Sequence, residues 1–429
     1  MRKVQFVSFL ILLAVGFLLS LLLPLRPSYS ESEKRELTKF PSFSMKSLWS
    51  GTYFDEIGIW FSDTYPFREA FVGINSRMHA LYGFGDRIYG LSDTKVEEIP
   101  DEAQTPTEAT IEVFKPEEID ETLGGMITAK DGVVQNLGVI VIVDDAAYEL
   151  YSFSKDIADK YAAVVNYTAQ ELEGAADVYD LIVPTSVDIT MPDNERAKAS
   201  TSSQADAMRY IFSCMSPQVH SVNVYNTLRN HRTEYIYFRT DHHWTALGAH
   251  YAYEELCKSM HRQPKDLQDF TLHTFDGFLG AFYTQTKKNS KLAANPDTVY
   301  AYEPRGDIQL TYYSKNGTAN EWDVISDVST WASTSKYSTF IGGDNPYTLI
   351  TNESASDRSC LVIKESFGNA FVPFLVSDYS DVHVIDYRYW TGKIPQFVRD
   401  NHIDDVIFIN NISATRSATL VKDLYTVVY

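Results

Sequence analysis

Two short segments, far apart in the chain, contain the residue types of an activated-nucleophile site. The first is Thr240-Asp241-His242-His243-Trp244-Thr245, in which a carboxylate and two imidazoles stand at the start of a predicted helix. The second is Lys364-Glu365-Ser366-Phe367-Gly368-Asn369, which follows the apolar run at residues 361–363. This second segment places a serine where a strand turns into a helix. A nucleophilic serine, a histidine that takes its proton and a carboxylate that orients the histidine together perform acyl transfer.

The first segment allows three interpretations. In one, a histidine is the general base for the nucleophile, and Asp241 fixes its tautomer and raises its basicity. In another, a metal is bound by Asp241, His242, His243 and His250. That site would lack both a histidine pair four residues apart on a helix and a flanking cysteine pair. In the third, the segment only caps the helix predicted over residues 245–260, but a threonine already supplies that cap and leaves two histidines unexplained. We favour the first interpretation and predict neither a metal nor a cofactor.

Ser366 has two interpretations of its own. Serine is a common N-cap, so it could simply begin the helix predicted over residues 367–376. As a nucleophile it would project from the turn, where N–H groups at the helix start could stabilise an oxyanion. Arg388 either holds substrate or forms a structural pair with Asp386. The candidates for oxyanion or substrate binding are Arg388, Asn369, Tyr387, Trp244 and His242.

Strands that alternate with helices must position these residues. The predicted strands are residues 139–143, 178–183, 222–224, 361–363, 382–385 and 406–409. The predicted helices between them are residues 148–172, 245–260, 367–376 and 394–401. This rhythm is typical of an α/β fold with a parallel sheet and helices on both faces. Such sheets carry their sites at the carboxyl ends of the strands, where Ser366 and Asp386 fall.

The N-terminus predicts a membrane anchor. Residues 6–23 are apolar apart from two serines and a glycine, and they follow Arg2 and Lys3. A helix of this length spans about 27 Å, close to the hydrocarbon thickness of a bilayer. The flanking charges predict a single-pass protein of the cell membrane, with the rest of the chain outside the cell. Cleavage near Ser28-Tyr29-Ser30 is the alternative and would make the protein secreted.

The remaining chain divides by composition. We predict a signal-anchor at residues 1–26, a membrane-proximal helical region at 27–92, an acidic linker or loop at 93–122, and a catalytic domain at 123–429 with a loop-rich insertion at 264–347. Leu48, Tyr53, Phe54, Ile57, Trp60 and Phe61 recur at spacings typical of a helix face.

The composition excludes several classes of protein. A hydrophobic fraction of 44% indicates a globular chain with a substantial core. The formal net charge of −20 repels phosphate backbones, so no nucleic-acid partner is expected. Cys214, Cys257 and Cys360 are too few, and odd in number, for a disulfide framework. The 28 tyrosines suit a sugar-binding surface but are equally ordinary core residues.

The chain resembles the DHHW protein family, named for the string Asp241-His242-His243-Trp244. The other motifs that resemble the family are Glu36-Leu37 with Phe40-Pro41-Ser42-Phe43, Asp63-Thr64-Tyr65-Pro66-Phe67-Arg68, Val183-Pro184-Thr185-Ser186, Tyr237-Phe238-Arg239-Thr240, and Lys364-Glu365-Ser366-Phe367-Gly368-Asn369. The resemblance covers most of the chain.

The DHHW family is similar in turn to the extracytoplasmic alginate O-acetylation proteins, which have an SGNH-hydrolase-like fold. Matched by residue, Asp241 and His243 take the places of the Asp-x-His pair, and Ser366 takes the place of the nucleophile. The resemblance implies acetyl-group chemistry on cell-surface polysaccharide, with acetyl supplied through a membrane-bound O-acyltransferase partner. The chain departs from ordinary SGNH enzymes at Lys364-Glu365, where they carry Gly-Asp.

Two functional hypotheses follow. The first is a membrane-anchored extracytoplasmic O-acetyltransferase or acetylesterase that acts on cell-surface or exopolysaccharide through an acetyl-serine intermediate. The second is a non-catalytic polysaccharide-binding or scaffold component of a surface-polymer modification or export complex. The altered residues before Ser366 and the abundance of tyrosine are compatible with the second.

Overall fold

The structure is a computed structural model that describes most of the chain. The described residues are 118–130 and 134–429, residue 99, and, nearer the N-terminus, 29–30, 35–36, 39–43, 45, 48, 53–54, 57, 60–61 and 64. They belong to two compact units, Met1–Ile88 and Tyr89–Tyr429.

In the first unit, two short strands form an antiparallel pair, β1 (Tyr29–Ser30) and β2 (Arg35–Glu36). The predicted helix between residues 48 and 61 is confirmed at each of its six apolar positions, all of which are helical. Trp60 is buried, with its ring edge-on to Phe40 at a centroid distance of 4.8 Å. The predicted anchor, residues 6–23, lies outside the described residues. Among those that the structure describes, no helix combines the length and the apolar character needed to cross a bilayer.

The second unit contains an α/β body. Its strands are β3 (Val134–Asn136), β4 (Ile140–Val143), β5 (Ala146–Glu149), β6 (Asp177–Val183), β7 (Val219–Ser221), β8 (Thr271–Phe278), β9 (Asp297–Glu303), β10 (Ile308–Tyr313), β11 (Ala319–Trp322), β12 (Tyr347–Asn352), β13 (Ser359–Lys364), β14 (Asp381–Asp386) and β15 (Asp405–Asn411). Its α-helices are α1 (Lys155–Glu171), α2 (Ser186–Ile189), α3 (Asp193–Arg196), α4 (Gln204–Ser213), α5 (Tyr225–Asn230), α6 (Ala246–Ser259), α7 (Ala281–Gln285), α8 (Ser290–Ala294), α9 (Val372–Leu375), α10 (Ile394–Asp400) and α11 (Ala418–Val428).

An eight-stranded sheet forms the centre of this body, in the order β11-β10-β12-β14-β13-β15-β6-β7. The five strands from β14 to β7 are parallel, and β12, β10 and β11 extend them by antiparallel pairing. Every residue of β13 is buried, because strands in the middle of a parallel sheet are covered on both faces. The predicted α/β fold is therefore confirmed, and its sheet is mixed: the predicted parallel pairing holds for five strands, and three further strands pair antiparallel.

The helices form two packed groups beside the sheet. In one group α1 contacts α10 and α11, and in the other α6 contacts α5 and α9. Helix α6 begins after Thr245, whose hydroxyl accepts the N–H of Gly248, so the predicted cap is confirmed. Helix α1 begins later than predicted, because the start of the expected segment forms β5 and pairs with β4.

Residues 264–347, predicted to be a loop-rich insertion, instead contain four strands. Two of them form the antiparallel pair β8 and β9, and the other two, β10 and β11, widen the main sheet. The end of the predicted acidic linker packs against the α/β body. Ile119 is buried, and the main-chain atoms of Glu118 and Asp120 form hydrogen bonds with the side chain of Asn226.

Candidate active site

The candidate nucleophile lies directly after the central strand. Strand β13 ends at Lys364, and a short 3-10 helix, Ser366–Ala370, begins two residues later. The cap of this helix is Glu365, whose Oε2 accepts the N–H of Phe367 at 3.1 Å. The cap interpretation of Ser366 is therefore wrong, and its hydroxyl bonds elsewhere.

Gly368 allows the serine turn to lie close against the end of β13. A Cβ atom at Gly368 would come within 2.6 Å of the Cβ of Lys364. Such a contact is too short for any side chain, so glycine is needed for packing at this position.

Ser366, His243 and Asp241 form one continuous hydrogen-bonded chain. The Oγ of Ser366 lies 2.7 Å from Nε2 of His243, and Nδ1 of His243 lies 2.6 Å from Oδ1 of Asp241. With the proton on Nδ1, the imidazole donates to Asp241 and its Nε2 is free to accept the serine proton. Asp241 and His243 are almost fully buried, at 4% and 6% exposure, whereas Ser366 is only partly buried.

The remaining bonds of Asp241 fix its carboxylate. Its Oδ1 also accepts the main-chain N–H of His243 at 3.0 Å, and its Oδ2 accepts the N–H of Ala281 at 2.6 Å. Burial alone would raise the pKa of Asp241, but the neighbouring His242 and His243 and these hydrogen bonds hold its pKa far below the usual range. Asp241 is therefore a carboxylate throughout the neutral pH range.

The loop that carries Asp241 is hydrogen-bonded to a second buried carboxylate, that of Asp297 at the start of β9. Asp297 accepts the N–H and the hydroxyl of Thr240, and the N–H and side chain of Arg239. The backbone of Gly280 passes so close to Asp241 that a Cβ there would lie 2.5 Å from Cγ of Asp241. The position of the Asp241 carboxylate is thus fixed on one side by the bonds of its loop to Asp297 and on another by the close backbone of Gly280.

Two other rings contact the imidazole of His243. Tyr337 stacks on it at a centroid distance of 3.9 Å and an angle of 13°, and His242 is also 3.9 Å away. The hydroxyl of Tyr337 donates to the carbonyl of Ser366 at 3.0 Å, so this tyrosine contacts both the candidate base and the serine turn. Tyr337 was not predicted from the sequence.

His242 occupies a different place from His243. Its side chain is about a third exposed, at 34%, and its Nδ1 lies 3.7 Å from Oδ1 of Asp241. Burial of the ring and the adjacent His243 lower the pKa of His242, against the opposing effect of Asp241. The serine hydroxyl bonds to His243, which favours His243 over His242 as the base.

The ligand atoms of Asp241, His242 and His243 lie within 4.8 Å of one another, close enough to hold a cation. However, both nitrogens of His243 and both oxygens of Asp241 already have hydrogen-bond partners. The fourth residue of the metal hypothesis, His250, is bonded through Nε2 to the carbonyl of Lys265. These residues suit proton transfer better than metal binding.

Arg388 lies in a partly buried network of charges next to the serine turn. Its guanidinium bonds to both oxygens of Asp386, at 2.8 and 2.6 Å, and contacts Asp344 at 2.9 Å. Lys364 pairs with the same two carboxylates, at 3.0 and 3.1 Å. Two cations and two carboxylates balance one another, so the structural-pair interpretation of Arg388 fits the contacts better than the substrate-clamp one.

Asn369 joins this network through its side-chain amide, which donates to Asp344 at 2.8 Å. Burial would raise the pKa of Asp344, but the charges of Arg388 and Lys364 and the bond from Asn369 hold its pKa far below the usual range. One of the two side-chain N–H groups of Asn369 is thus bonded to Asp344.

Two further candidates are buried. Trp244 is fully buried and donates its indole N–H to the carbonyl of Phe367 at 2.9 Å, which ties the Asp-His segment to the serine turn. Tyr387 is 3% exposed and its hydroxyl donates to Asn410 at 2.8 Å. Both side chains support the site from within and do not line a surface open to substrate.

Comparison with known proteins agrees with the resemblance described above. The DHHW protein family model matches residues 33–112 and 106–385. No curated protein sequence matches this chain.

Several solved structures are similar to this chain. A DHHW family protein from Eubacterium siraeum DSM 15702 is 28% identical, with a TM-score of 0.64 over 70% of this chain and 99% of its own. PatB1 from Bacillus cereus, in a structure with a sulfonyl adduct, is 20% identical, with a TM-score of 0.56 over 66% of this chain and 97% of its own. The O-acetyltransferase domain of AlgJ from Pseudomonas putida is 16% identical, with a TM-score of 0.37 over 68% of this chain and 98% of its own.

The family model extends over far more than half of the chain and includes the Asp241-His243 segment and Ser366. The chain belongs to the DHHW protein family.

Proposed function

We propose that this protein is an extracytoplasmic O-acetyltransferase or acetylesterase that acts on cell-surface or exopolysaccharide through a serine nucleophile. The observation that carries this proposal is the hydrogen-bonded chain from Ser366 through His243 to Asp241. Each link has the length and the partner that nucleophile activation requires. The acetyl group and the polysaccharide come from the resemblance of the sequence motifs to O-acetylation proteins.

In the first step, Oγ of Ser366 attacks the carbonyl carbon of an acetyl donor as its proton moves to Nε2 of His243. Asp241 stabilises the resulting imidazolium through Nδ1. The N–H of Ser366, at the first position of the 3-10 helix, has no acceptor within that helix and is available to the developing oxyanion. The bond from the carbonyl carbon to the leaving group then breaks, and His243 returns the proton to the leaving group.

In the second step, a hydroxyl of the acceptor attacks the acetyl-serine. His243 takes the proton of that hydroxyl, the bond between the acetyl carbon and Oγ breaks, and His243 returns the proton to Ser366. A sugar hydroxyl as acceptor gives transfer, and water gives hydrolysis.

The same proposal includes anchoring of the protein in a membrane. The apolar residues 6–23 would anchor the protein in a bilayer with the catalytic body outside the cell. A membrane-bound O-acyltransferase would then supply acetyl groups to Ser366.

The test is hydrolysis of a chromogenic acetyl ester by the full-length chain in detergent. We expect Ser366→Ala and His243→Ala to lower the rate of hydrolysis by several orders of magnitude, because each removes one member of the triad Ser366–His243–Asp241. Matched controls are Ser354→Ala, an exposed serine before β13, and His273→Ala, whose ring pairs with Glu303. Equal activity of Ser366→Ala and the wild-type protein would contradict the proposal.

A non-catalytic binding component is the second candidate. It is favoured by the contacts of the expected oxyanion helpers, since Arg388, Asn369 and the N–H of Phe367 are bonded to carboxylates. A folded wild-type protein that binds polysaccharide equally well with Ser366→Ala, and turns over no ester, would support this second function.

A further inference from the structure

His242 is the histidine of the Asp241 loop that is partly exposed to solvent. Its side chain is 34% exposed, whereas the side chains of Asp241 and His243 are 6% and 8% exposed. The hydrogen-bonded chain to Ser366 runs through His243 and gives His242 no part. An imidazole beside the candidate base can still hold a substrate, because its ring nitrogens donate and accept hydrogen bonds.

The local backbone brings the two imidazoles together. Oδ1 of Asp241 accepts the main-chain N–H of His243, two residues later, at 3.0 Å. A side-chain bond of this kind closes a turn, so His242 and His243 do not point to opposite sides as consecutive residues of a strand do. Their ring centroids are 3.9 Å apart, with 35° between the ring planes. A buried imidazole that bonds to Ser366 and a partly exposed one therefore lie side by side.

The ring nitrogens of His242 are available to a ligand. Within the part of the chain that the structure describes, neither of them makes a hydrogen bond, and Nδ1 is 3.7 Å from Oδ1 of Asp241. Burial and the adjacent His243 lower the pKa of His242, so the ring is neutral at neutral pH. A neutral imidazole has one N–H donor and one acceptor nitrogen. These two functions match a hydroxyl group, which also donates and accepts.

Apolar rings pack near His242 without using its nitrogens. The ring of Phe282 lies edge-on at a centroid distance of 6.1 Å, and that of Phe367 lies at 6.2 Å. Both phenylalanines are buried, at 1% exposure each. Packing therefore restricts the orientation of the imidazole and leaves its hydrogen-bonding groups to a ligand.

We propose that His242 is an acceptor-binding residue, which hydrogen-bonds the hydroxyl next to the one that attacks the acetyl-serine. This inference deepens the proposed function and rests on it. Neighbouring hydroxyl oxygens on a sugar ring are separated by about the length of one hydrogen bond, so one hydroxyl can reach His243 while the next reaches His242. The substrate class is a glycan in which the ring hydroxyl that becomes acetylated has a free hydroxyl beside it.

The transfer step balances without proton transfer to His242. The attacking oxygen forms a bond to the acetyl carbon, and its proton moves to Nε2 of His243. The bond from the acetyl carbon to Oγ of Ser366 breaks, and His243 returns the proton to that oxygen. His242 only holds the second hydroxyl. A diol brings both hydroxyls in one molecule, whereas attack by water needs a separate second water at His242, so this contact favours transfer over hydrolysis.

The experiment compares two acceptors that share one ring. The full-length chain in detergent receives 4-nitrophenyl acetate with cyclohexanol or with an equal concentration of trans-1,2-cyclohexanediol. The acetylated alcohol and free acetate are quantified in each reaction, corrected for the reaction without enzyme, and their ratio is the transfer ratio. We expect the wild-type transfer ratio per hydroxyl to be about fivefold higher with the diol, the factor that one neutral hydrogen bond supplies.

Variants at His242 test whether this residue causes the preference for the diol. His242→Phe keeps a ring and removes both nitrogens, so the preference should disappear. His242→Gln restores a donor and an acceptor and should recover part of it. The transfer ratio compares two products of one sample, so a general loss of activity does not alter it. The matched control is His273→Phe, because the ring of His273 bonds to Glu303 within the β8–β9 pair, and its preference should equal that of the wild type.

The outcomes separate this inference from the proposed function. Hydrolysis by the wild-type protein without a preference for the diol would overturn the inference and retain the enzyme. A preference that His242→Phe keeps in full would also overturn it, because the second hydroxyl would then bind elsewhere. If His242→Phe does not fold, His242→Ala takes its place with the same expectation. No hydrolysis by a folded wild-type protein would refute the proposed function and the inference with it.

Discussion

Gly280→Ala is expected to disable the site without removing any of its reacting groups. The added methyl would lie 2.5 Å from Cγ of Asp241 and closer still to Cβ and Oδ2. The backbone at Gly280 has a φ of −80°, which alanine adopts without strain, so the effect is purely a collision with Asp241. Restoring an ordinary contact requires a movement of about 1 Å in the Asp241 carboxylate or in the backbone of Gly280 and Ala281.

A displacement of that size has a calculable consequence. A misplacement of about 1 Å in a catalytic group costs on the order of 100-fold in rate. The carboxylate that moves also accepts Nδ1–H of His243 at 2.6 Å, so the imidazole would lose its orientation. We therefore expect acetyl-ester hydrolysis by Gly280→Ala to fall about 100-fold, while Ser366 remains in place.

The control is Gly277→Ala in β8. A Cβ at Gly277 meets no atom within 4 Å, but its φ of +79° is strained for alanine. This variant should lose about 1 kcal/mol of stability and no activity. Thermal unfolding followed by circular dichroism separates the two effects. A folded Gly280→Ala protein within threefold of the wild-type rate would refute the argument that Asp241 must be held in this position.

Three further predictions follow from contacts of the same site and its core. Asp241→Asn should lower ester hydrolysis by roughly 10³- to 10⁴-fold, because the amide can no longer hold the imidazole in the Nδ1–H tautomer; a loss below tenfold would exclude this role. Tyr337→Phe keeps the ring on the imidazole and loses only the bond to the serine carbonyl, so its rate should exceed that of Tyr337→Ala, and the reverse order would contradict the stacking role. Burial raises the pKa of Asp180 to about 7, so the folded protein binds a proton that the unfolded chain releases near pH 4, and stability is lost as the pH rises from about 4 to about 7. Unfolding temperatures of Asp180→Asn should depend less on pH over that range than those of the wild type, and parallel curves would refute the assignment.

The central strands could be predicted because their sequences are nearly continuous apolar runs. Strands β13 and β6 are buried at almost every position, which leaves little doubt about their place in the middle of a sheet. The antiparallel strands were missed for the opposite reason. Strand β12 alternates between buried and partly exposed residues, and its tyrosine and threonines read as polar loop residues when no pairing partner is known.

The three reacting residues could be recognised from the sequence, but their supports could not. Ser366 and His243 are residue types with chemistry of their own, in segments that resemble a known family. Tyr337, Gly280 and Asp297 lie in residues 264–347, for which the sequence predicts only a loop-rich insertion, and each acts through a neighbour distant in the chain. No local spacing signals such a contact, since it depends on how the segments pack.

The secondary candidates show the same limit. Arg388 was predicted from its type and its position after a strand, and both were compatible with a substrate clamp. Its pairing with Asp344 depends on a residue 44 positions earlier in the chain. The distinction between a substrate-binding cation and a paired one therefore required the fold.

The central claim is that His243 activates Ser366, and covalent labelling tests it most directly. The full-length chain in detergent is treated with phenylmethanesulfonyl fluoride, which sulfonylates activated serine hydroxyls, and the modified residue is identified by peptide mass spectrometry. The account predicts one sulfonyl group on Ser366 in the wild-type protein and none in His243→Ala. Labelling of Ser366 at the same rate in His243→Ala, or no labelling of Ser366 in a folded wild-type protein, would contradict it.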